Sequence, residues 1–127
     1  MVGDVLDIPL VDGSFTCVID AGTFQHLSPE KYQIYVSEIV RVLEHNGYYI
    51  NISLASSTKQ FLGFTPQNSG INYFEKFNVH YHLFNEDSIH NIFHHYFHII
   101  NQKTYTYESQ SDPADEIDLI VTVMQKK

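Results

Sequence analysis

Three stretches decide the fold: Phe15-Thr16-Cys17-Val18-Ile19-Asp20, then Glu38-Ile39-Val40-Arg41-Val42-Leu43, then Tyr48 to Leu54 after Asn46-Gly47. The first is short and almost continuously apolar, the composition of a strand covered on both faces in a parallel sheet. Gly22 and Thr23 break it. The second ends a helix with clear punctuation. Ser28 can accept from its first orphan amides, Pro29 suits its first position, and Glu30 complements its positive end. Tyr32, Tyr35, Val36, Ile39, Val40 and Leu43 recur at helical spacing, and Gly47 is the expected left-handed stop. With the apolar run from Tyr48, strand, helix and strand make a βαβ crossover, which should be right-handed.

Working outward, residues 1 to 5 read as the end of a strand, and Leu6 to Gly13 as a loop carrying Pro9 and an Asp12-Gly13 turn. Residues 55 to 78 mix Ser, Thr, Gly, Pro and Asn with aromatic residues and read as a short helix or irregular excursion. Asn85 can cap a second helix, with Glu86 and Asp87 in its first turn and Ile89, Ile92, Phe93 and Tyr96 on one face. Phe97 to Tyr107 and Ile117 to Met124 are β-rich, the latter alternating from Ile117 to Met124. The polar, acidic stretch 108–116 between them reads as a mobile hairpin loop. Alternation followed by an antiparallel terminal pair gives an α/β sheet with one reversed edge strand.

The chain has 127 residues, a single-domain length, and 43% hydrophobic content, enough for one packed core. A net charge of -8 with seven scattered Lys and Arg disfavours nucleic acid as partner, because phosphate needs clustered cations. The single cysteine, Cys17, lies in an apolar run and reads as a small buried hydrophobe in a reducing compartment. There is no signal-peptide pattern and no apolar stretch near the ~20 residues that span a bilayer, so the expectation is a cytoplasmic protein without a membrane partner.

Gly3-Asp4, the trio Ile8-Pro9-Leu10, and Asp12-Gly13-Ser14-Phe15 running into a strand, followed by Glu38-x-x-Arg41-Val42-Leu43 and a further strand, form a recognisable order. It resembles the C-terminal half of a class I S-adenosylmethionine-dependent methyltransferase, from the fourth strand to the reversed seventh. Thr16 replaces the last Asp of the family's Asp-x-Ser-Phe-Asp pattern, and the Pro-Gly after the helix is absent. The resemblance implies a partial Rossmann-like methyltransferase sheet, mostly parallel with an antiparallel C-terminal strand, and one partial domain over residues 1–127. It implies S-adenosyl-L-methionine as cofactor and methyl transfer to a protein side chain or small-molecule nucleophile.

By the same resemblance Asp4 accepts from the adenine amino group with Val5 beside the ring. Asp20 and Ala21 lie near the cofactor's methionine part, and Phe24 and His26 face the acceptor. Asp20-Ala21-Gly22-Thr23 is also similar to the Asp-Lys-Gly-Thr stretch of some protein-lysine methyltransferases, with Ala21 in place of Lys. Nothing in the chain matches the acidic-x-Gly-x-Gly turn that grips the cofactor. The family's N-terminal cofactor-binding half is thus expected to precede Met1, leaving the strand at Phe15 with an unpaired edge.

Plainer readings stand beside these. Asp4 suits a loop carboxylate bonding local amides, and Asp20 a strand terminator capping the next turn. His90 and His94 share a helix face, with His98 following, but without the Glu of a zinc-hydrolase helix they are read as solvated, and no metal is expected. Methyl transfer needs donor and nucleophile held in line, so no obligatory catalytic side chain is identified. The alternative to an enzyme is a noncatalytic interaction module, pairing through its exposed strand edge with a second copy or with a separate N-terminal half.

Overall fold

The computed structural model describes residues 2–58, 72–76, 79–108 and 116–127. Strand β1 (Phe15–Ala21) leads through short 3-10 turns at Phe24–His26 and Pro29–Lys31 into helix α1 (Tyr32–Val42), and α1 into β2 (Leu43–Leu54). A hairpin, β3 (Asn72–Lys76) and β4 (Val79–Leu83), precedes α2 (Glu86–Phe93), β5 (Phe97–Tyr107) and β6 (Ile117–Lys126). Among the described residues the main sheet has the order β1-β2-β6-β5. β1 runs parallel to β2, pairing Ile19 with Ile50 and Asp20 with Asn51, so the expected strand–helix–strand unit is present. β6 is antiparallel to both β2 and β5.

The reversed C-terminal strand is therefore as expected, but it lies inside the sheet and β5 takes the edge. Composition explains the exchange. β6 offers Ile117, Leu119, Ile120, Val121, Val123 and Met124 to both faces, whereas β5 carries Asn101, Gln102, Lys103, Thr104 and Thr106, the polar kind of strand that tolerates an open border.

The core lies on one face of this sheet. The Tyr49 ring meets Tyr35 of α1 and Phe93 of α2, so both helices pack on the same side. Val36, Ile39, Ile89, Phe97, Ile120 and Met124 complete that layer, each nearly inaccessible to solvent. The opposite face carries Ile19, Ile50, Val121 and Val123 in one belt, partly or fully exposed, with Ile19 63% accessible.

Several local expectations are corrected. β1 is not covered on both faces: of its residues only Asp20 is buried, and Cys17 is exposed. Residues 2–10 form no strand end; Asp4 and Asp7 close a tight turn, Asp7 N–H donating to Asp4 C=O at 3.0 Å. Ser28 makes no side-chain cap, and the helix opens as a 3-10 turn with Pro29 in first place. α1 ends at Val42, earlier than expected, and Leu43 passes straight into β2. Asn46, not Gly47, adopts the left-handed conformation, at φ 63°. Gly47 serves close approach instead, since a Cβ there would lie 2.9 Å from Glu44 O and 3.3 Å from Thr16 O.

Asn85 and Ser88 build a reciprocal capping box at α2, with Ser88 N–H donating to Asn85 Oδ1 at 2.8 Å. Tyr96 falls beyond the helix end and is partly exposed. The expectation of a short helix or irregular excursion over 55–78 gives way to strand at 72–76, while 59–71 and 77–78 lie outside the described residues. Most of the 108–116 connector lies outside them too.

Candidate functional site at the carboxyl ends of β1 and β2

In open α/β sheets, ligands bind where parallel strands end at their carboxyl termini. Here β1 ends at Asp20-Ala21, and Gly22, at φ 100°, turns the chain out of the sheet. That conformation is one an L side chain rarely adopts. Gly22 N–H still donates to Ile52 O at 3.2 Å, keeping the exit against β2. Asp20 then pins the turn that follows: its carboxylate accepts from Thr23 N–H at 2.7 Å, from Phe24 N–H at 3.1 Å, and from the Tyr35 hydroxyl. The carboxylate thus points inward and caps the next turn, as its plainer reading has it, while Ala21 stays exposed on the rim.

Behind Asp20 runs a buried polar chain that sequence reading missed. Tyr35 and Tyr49 hydroxyls lie 2.7 Å apart, Asn51 Nδ2 donates to Tyr49 Oη at 2.9 Å, and Ser53 Oγ donates to Asn51 Oδ1 at 2.6 Å. Proton counting gives the chain a direction. Asp20 can take the only hydroxyl hydrogen of Tyr35, so the Tyr49 hydroxyl must donate to Tyr35. Every donor from Ser53 onward therefore points toward the Asp20 carboxylate. Burial pushes both phenols far above their ordinary range, with the neighbouring hydroxyl and Asp20 adding to the shift at Tyr35 and Asp20 adding to it at Tyr49.

The turn at Phe24–His26 distributes its three side chains differently. Phe24 is enclosed by Tyr32, Tyr35, Phe84 and Phe93 and has no accessible surface, which corrects the expectation that it faces an acceptor. Gln25 turns inward and accepts from Leu54 N–H at 3.0 Å, tying the turn to the end of β2. His26 is exposed, with its ring edge-on to Tyr81 of β4 at 4.7 Å between centroids. The β3–β4 hairpin docks here as well: His82 Nδ1 lies 3.2 Å from Gln25 O, and Phe84 N–H donates to Leu54 O at 3.0 Å. Asp20, Ala21 and His26 thus come together at one end of the sheet.

Asp4 and Val5 stand apart from them, in the turn before β1. Asp4 is exposed and its Oδ1 accepts from Leu6 N–H at 2.9 Å, while Val5 packs on the core. The loop that carries them is clamped by the Glu38-x-x-Arg41 pair of α1. Glu38 Oε2 accepts from Ile8 N–H at 2.8 Å; Arg41 donates to Ile8 O and Leu10 O at 2.8 and 2.7 Å and pairs with Asp12 at 2.9 Å. The Arg41 guanidinium, bonded to Glu38, and the Ile8 amide hold the Glu38 carboxyl down at about 2.

A cleft of about 390 Å³ opens beyond β2, between Ser56, Ser57, Glu86 and Thr104 over Phe84 and Ile120. Among the described residues no group of three or more His, Cys, Asp or Glu is placed to hold a metal ion; the His90 and His94 rings stack at 5.2 Å on α2. Nor is any described helix long and apolar enough to cross a membrane.

A family model described as a methyltransferase domain matches residues 1–51. No curated protein matches the chain. Among solved structures, an S-adenosylmethionine-dependent methyltransferase from Methanosarcina mazei aligns with TM-score 0.79 at 17% identity, covering 99% of this chain and 66% of that one. The Burkholderia thailandensis 1,6-didemethyltoxoflavin N1-methyltransferase, solved with 1,6-didemethyltoxoflavin and S-adenosylhomocysteine, aligns with TM-score 0.73 at 14% identity, over 97% of this chain and 48% of that one. The N-methyltransferase NodS of Bradyrhizobium japonicum, in complex with S-adenosylhomocysteine, gives 0.65 at 14% identity over 98% and 52%. The chain spans between about half and two thirds of these structures' length. It has the Rossmann-like fold of the class I S-adenosylmethionine-dependent methyltransferases, and the family resemblance read from its sequence stands.

Proposed function

We propose that the chain contributes one wall of an S-adenosylmethionine site and serves methyl transfer to a nitrogen, oxygen or sulfur nucleophile of a small molecule or protein side chain. The observation that carries this reading is the end of the parallel pair, where Asp20 fixes the turn and leaves Ala21 and His26 on the rim. The residues fit the group in part. Asp4 offers an exposed carboxylate that can accept from an exocyclic amine, Val5 an apolar neighbour, and Ala21 a rim without a blocking side chain. Asp20 serves through the backbone geometry it imposes, because its oxygens are engaged from within.

The bound cofactor would supply an electrophilic methyl group. His26 would orient the acceptor beside it, and the Asp20-pinned turn would keep His26 in place, so the protein's contribution is alignment. Sequence beyond these 127 residues would bring the glycine-rich grip and the rest of the domain. The acidic balance fits a small-molecule or protein acceptor in the cytoplasm better than a nucleic acid.

Titration with S-adenosylhomocysteine, followed by amide chemical shifts, tests the reading. Weak binding is expected from this chain alone, with a dissociation constant of about 1 mM, roughly 4 kcal/mol, and shifts centred on Val5, Ala21 and Gly22. Shifts confined elsewhere would refute the site, and micromolar affinity would refute the single-wall account. A second reading, a noncatalytic module pairing through its sheet edge, is favoured by one observation, the exposed Ile19 on β1.

A further inference from the structure

Two opposite charges three residues apart on a helix ordinarily do no more than face each other. The Glu38–Arg41 pair reaches further, because Arg41 uses all five N–H donors of its guanidinium. Nε and Nη2 fork onto Glu38 Oε1 and Oε2, both at 2.9 Å. The other three donors reach the segment before β1: Ile8 O at 2.8 Å, Leu10 O at 2.7 Å and Asp12 Oδ1 at 2.9 Å. Glu38 Oε2 accepts in addition from Ile8 N–H at 2.8 Å, and Arg41 O from Gly13 N–H at 2.9 Å. Ile8 is thus gripped through both its amide and its carbonyl.

What this clamp holds is the carrier of Asp4 and Val5. Leu10 N–H donates to Ile8 O at 2.8 Å, Asp7 N–H to Asp4 O at 3.0 Å, and Leu6 N–H to Asp4 Oδ1 at 2.9 Å. Bonds therefore follow one another along the chain from the guanidinium to the Asp4 carboxylate, while Val5, Leu6 and Ile8 pack against the core. Residues 2–14 belong to no helix or strand, so they have no ladder of their own to fix their shape. The helix supplies the fixed points instead.

We propose that Arg41 and Glu38 are positioning residues for the cofactor: by strapping residues 8–13 to α1 they set how Asp4 and Val5 are presented to the adenine. The inference rests on the proposed cofactor reading and deepens it, since it carries part of that site's geometry back to α1. Both residues act through the loop. The device requires arginine. Its planar fork spans Glu38 and two carbonyls at once, whereas a lysine ammonium gathers three donors at one point and keeps the charge without the span.

Arg41→Lys in the full chain is the test. Without ligand, exchange of the Ile8 amide hydrogen should quicken about tenfold, with the amides of β2 unchanged. On titration with S-adenosylhomocysteine, the Val5 and Ala21 shifts scale with one occupancy, so their ratio reports how the adenine end is met and not how much ligand is bound. The variant should lower the Val5-to-Ala21 ratio about threefold, because a displaced loop misplaces its contacts. A clamp that served stability alone would leave that ratio unchanged. Should Arg41→Lys fold poorly, Glu38→Gln, which removes the charged partner of the fork, makes the same test. Wild-type shifts missing at both Val5 and Ala21 would refute the cofactor reading and this proposal with it. Wild-type shifts whose ratio is unchanged in the variant would refute the proposal alone, as would a changed ratio without faster Ile8 exchange.

Discussion

Tyr35→Phe removes one oxygen from the middle of the buried chain behind the candidate site. The ring stays: its packing on Phe24 at 5.3 Å and on Tyr49 at 6.5 Å needs no hydroxyl. The donor to Asp20 is lost, as is the acceptor for the Tyr49 hydroxyl. Asp20 keeps Thr23 and Phe24 amides, so the carboxylate is weakened in its bonding but not stranded. Tyr49 keeps Asn51 as donor but must place its own hydrogen where no acceptor remains. A hydrogen bond to a charged group contributes about 1.5–3 kcal/mol, and a stranded buried donor costs about 1–3 kcal/mol. Because the two losses share one atom and relax together, about 2–3 kcal/mol is expected in total, a sizeable share of a stability of order 5–15 kcal/mol.

The assay is urea unfolding followed by circular dichroism, with the slope required to stay constant so that only stability changes. At roughly 4 °C per kcal/mol for a chain of this size, the thermal midpoint should drop by about 8–12 °C. Tyr32→Phe is the control. It deletes the same atom on the same helix from a half-buried ring that packs on Phe24, and it should change stability by less than about 0.5 kcal/mol. Indistinguishable losses in the two variants would refute the directed chain, because the hydroxyl of Tyr35 would then be contributing nothing that an ordinary phenol does not.

The Glu38 carboxyl, lowered from 4.5 to about 2 by the Arg41 guanidinium and the Ile8 amide, makes a second prediction. A depressed folded pKa contributes stability in full above the unfolded value and loses it as pH falls from 4.5 toward 2, so Glu38→Gln should be less stable than wild type at pH 7 and equal to it near pH 2, as acid titrations of the urea midpoint would show. Gly47→Ala should destabilise by about 1–3 kcal/mol, since its Cβ meets the backbone oxygens of Glu44 and Thr16; a neutral effect on chemical denaturation would disprove the tight crossing.

What was legible in the chain was periodicity and punctuation. The crossover from β1 through α1 to β2, the Asn85 cap and the last two strands could all be read because local pattern and final environment agree there. The buried chain was not read, although β2 carries its signal. Tyr49, Asn51 and Ser53 alternate with Tyr48, Ile50 and Ile52, and a two-residue period ordinarily turns the polar set toward water. Here the polar set faces the core, because Tyr35 and Asp20 supply partners that no local window contains. Asn46 and Gly47 are hard to tell apart for a related reason. Both tolerate a left-handed turn, and only the distance to Thr16, across the sheet, shows that the glycine is wanted for its missing Cβ. The β3–β4 hairpin is signalled only by the short alternation of Val79, Tyr81 and Leu83 with His80 and His82; its placement comes from the bonds of Gln25, Leu54 and Phe84 at the end of β2.

The error about β1 carries more meaning than these. Its apolar run has the composition of a doubly covered strand, yet the strand is exposed from Phe15 through Ile19 apart from a partly covered Val18. Sequence composition reports the surroundings a segment requires, while the structure reports those that the described residues supply, and at β1 the two disagree. Isolated exposed apolar residues need no explanation, but Ile19 continues through Ile50 and Val123 into one belt, ending at a border that no strand among the described residues covers. That belt and the uncharged stretch 13–19 are where the sequence asks for more cover than the described residues supply.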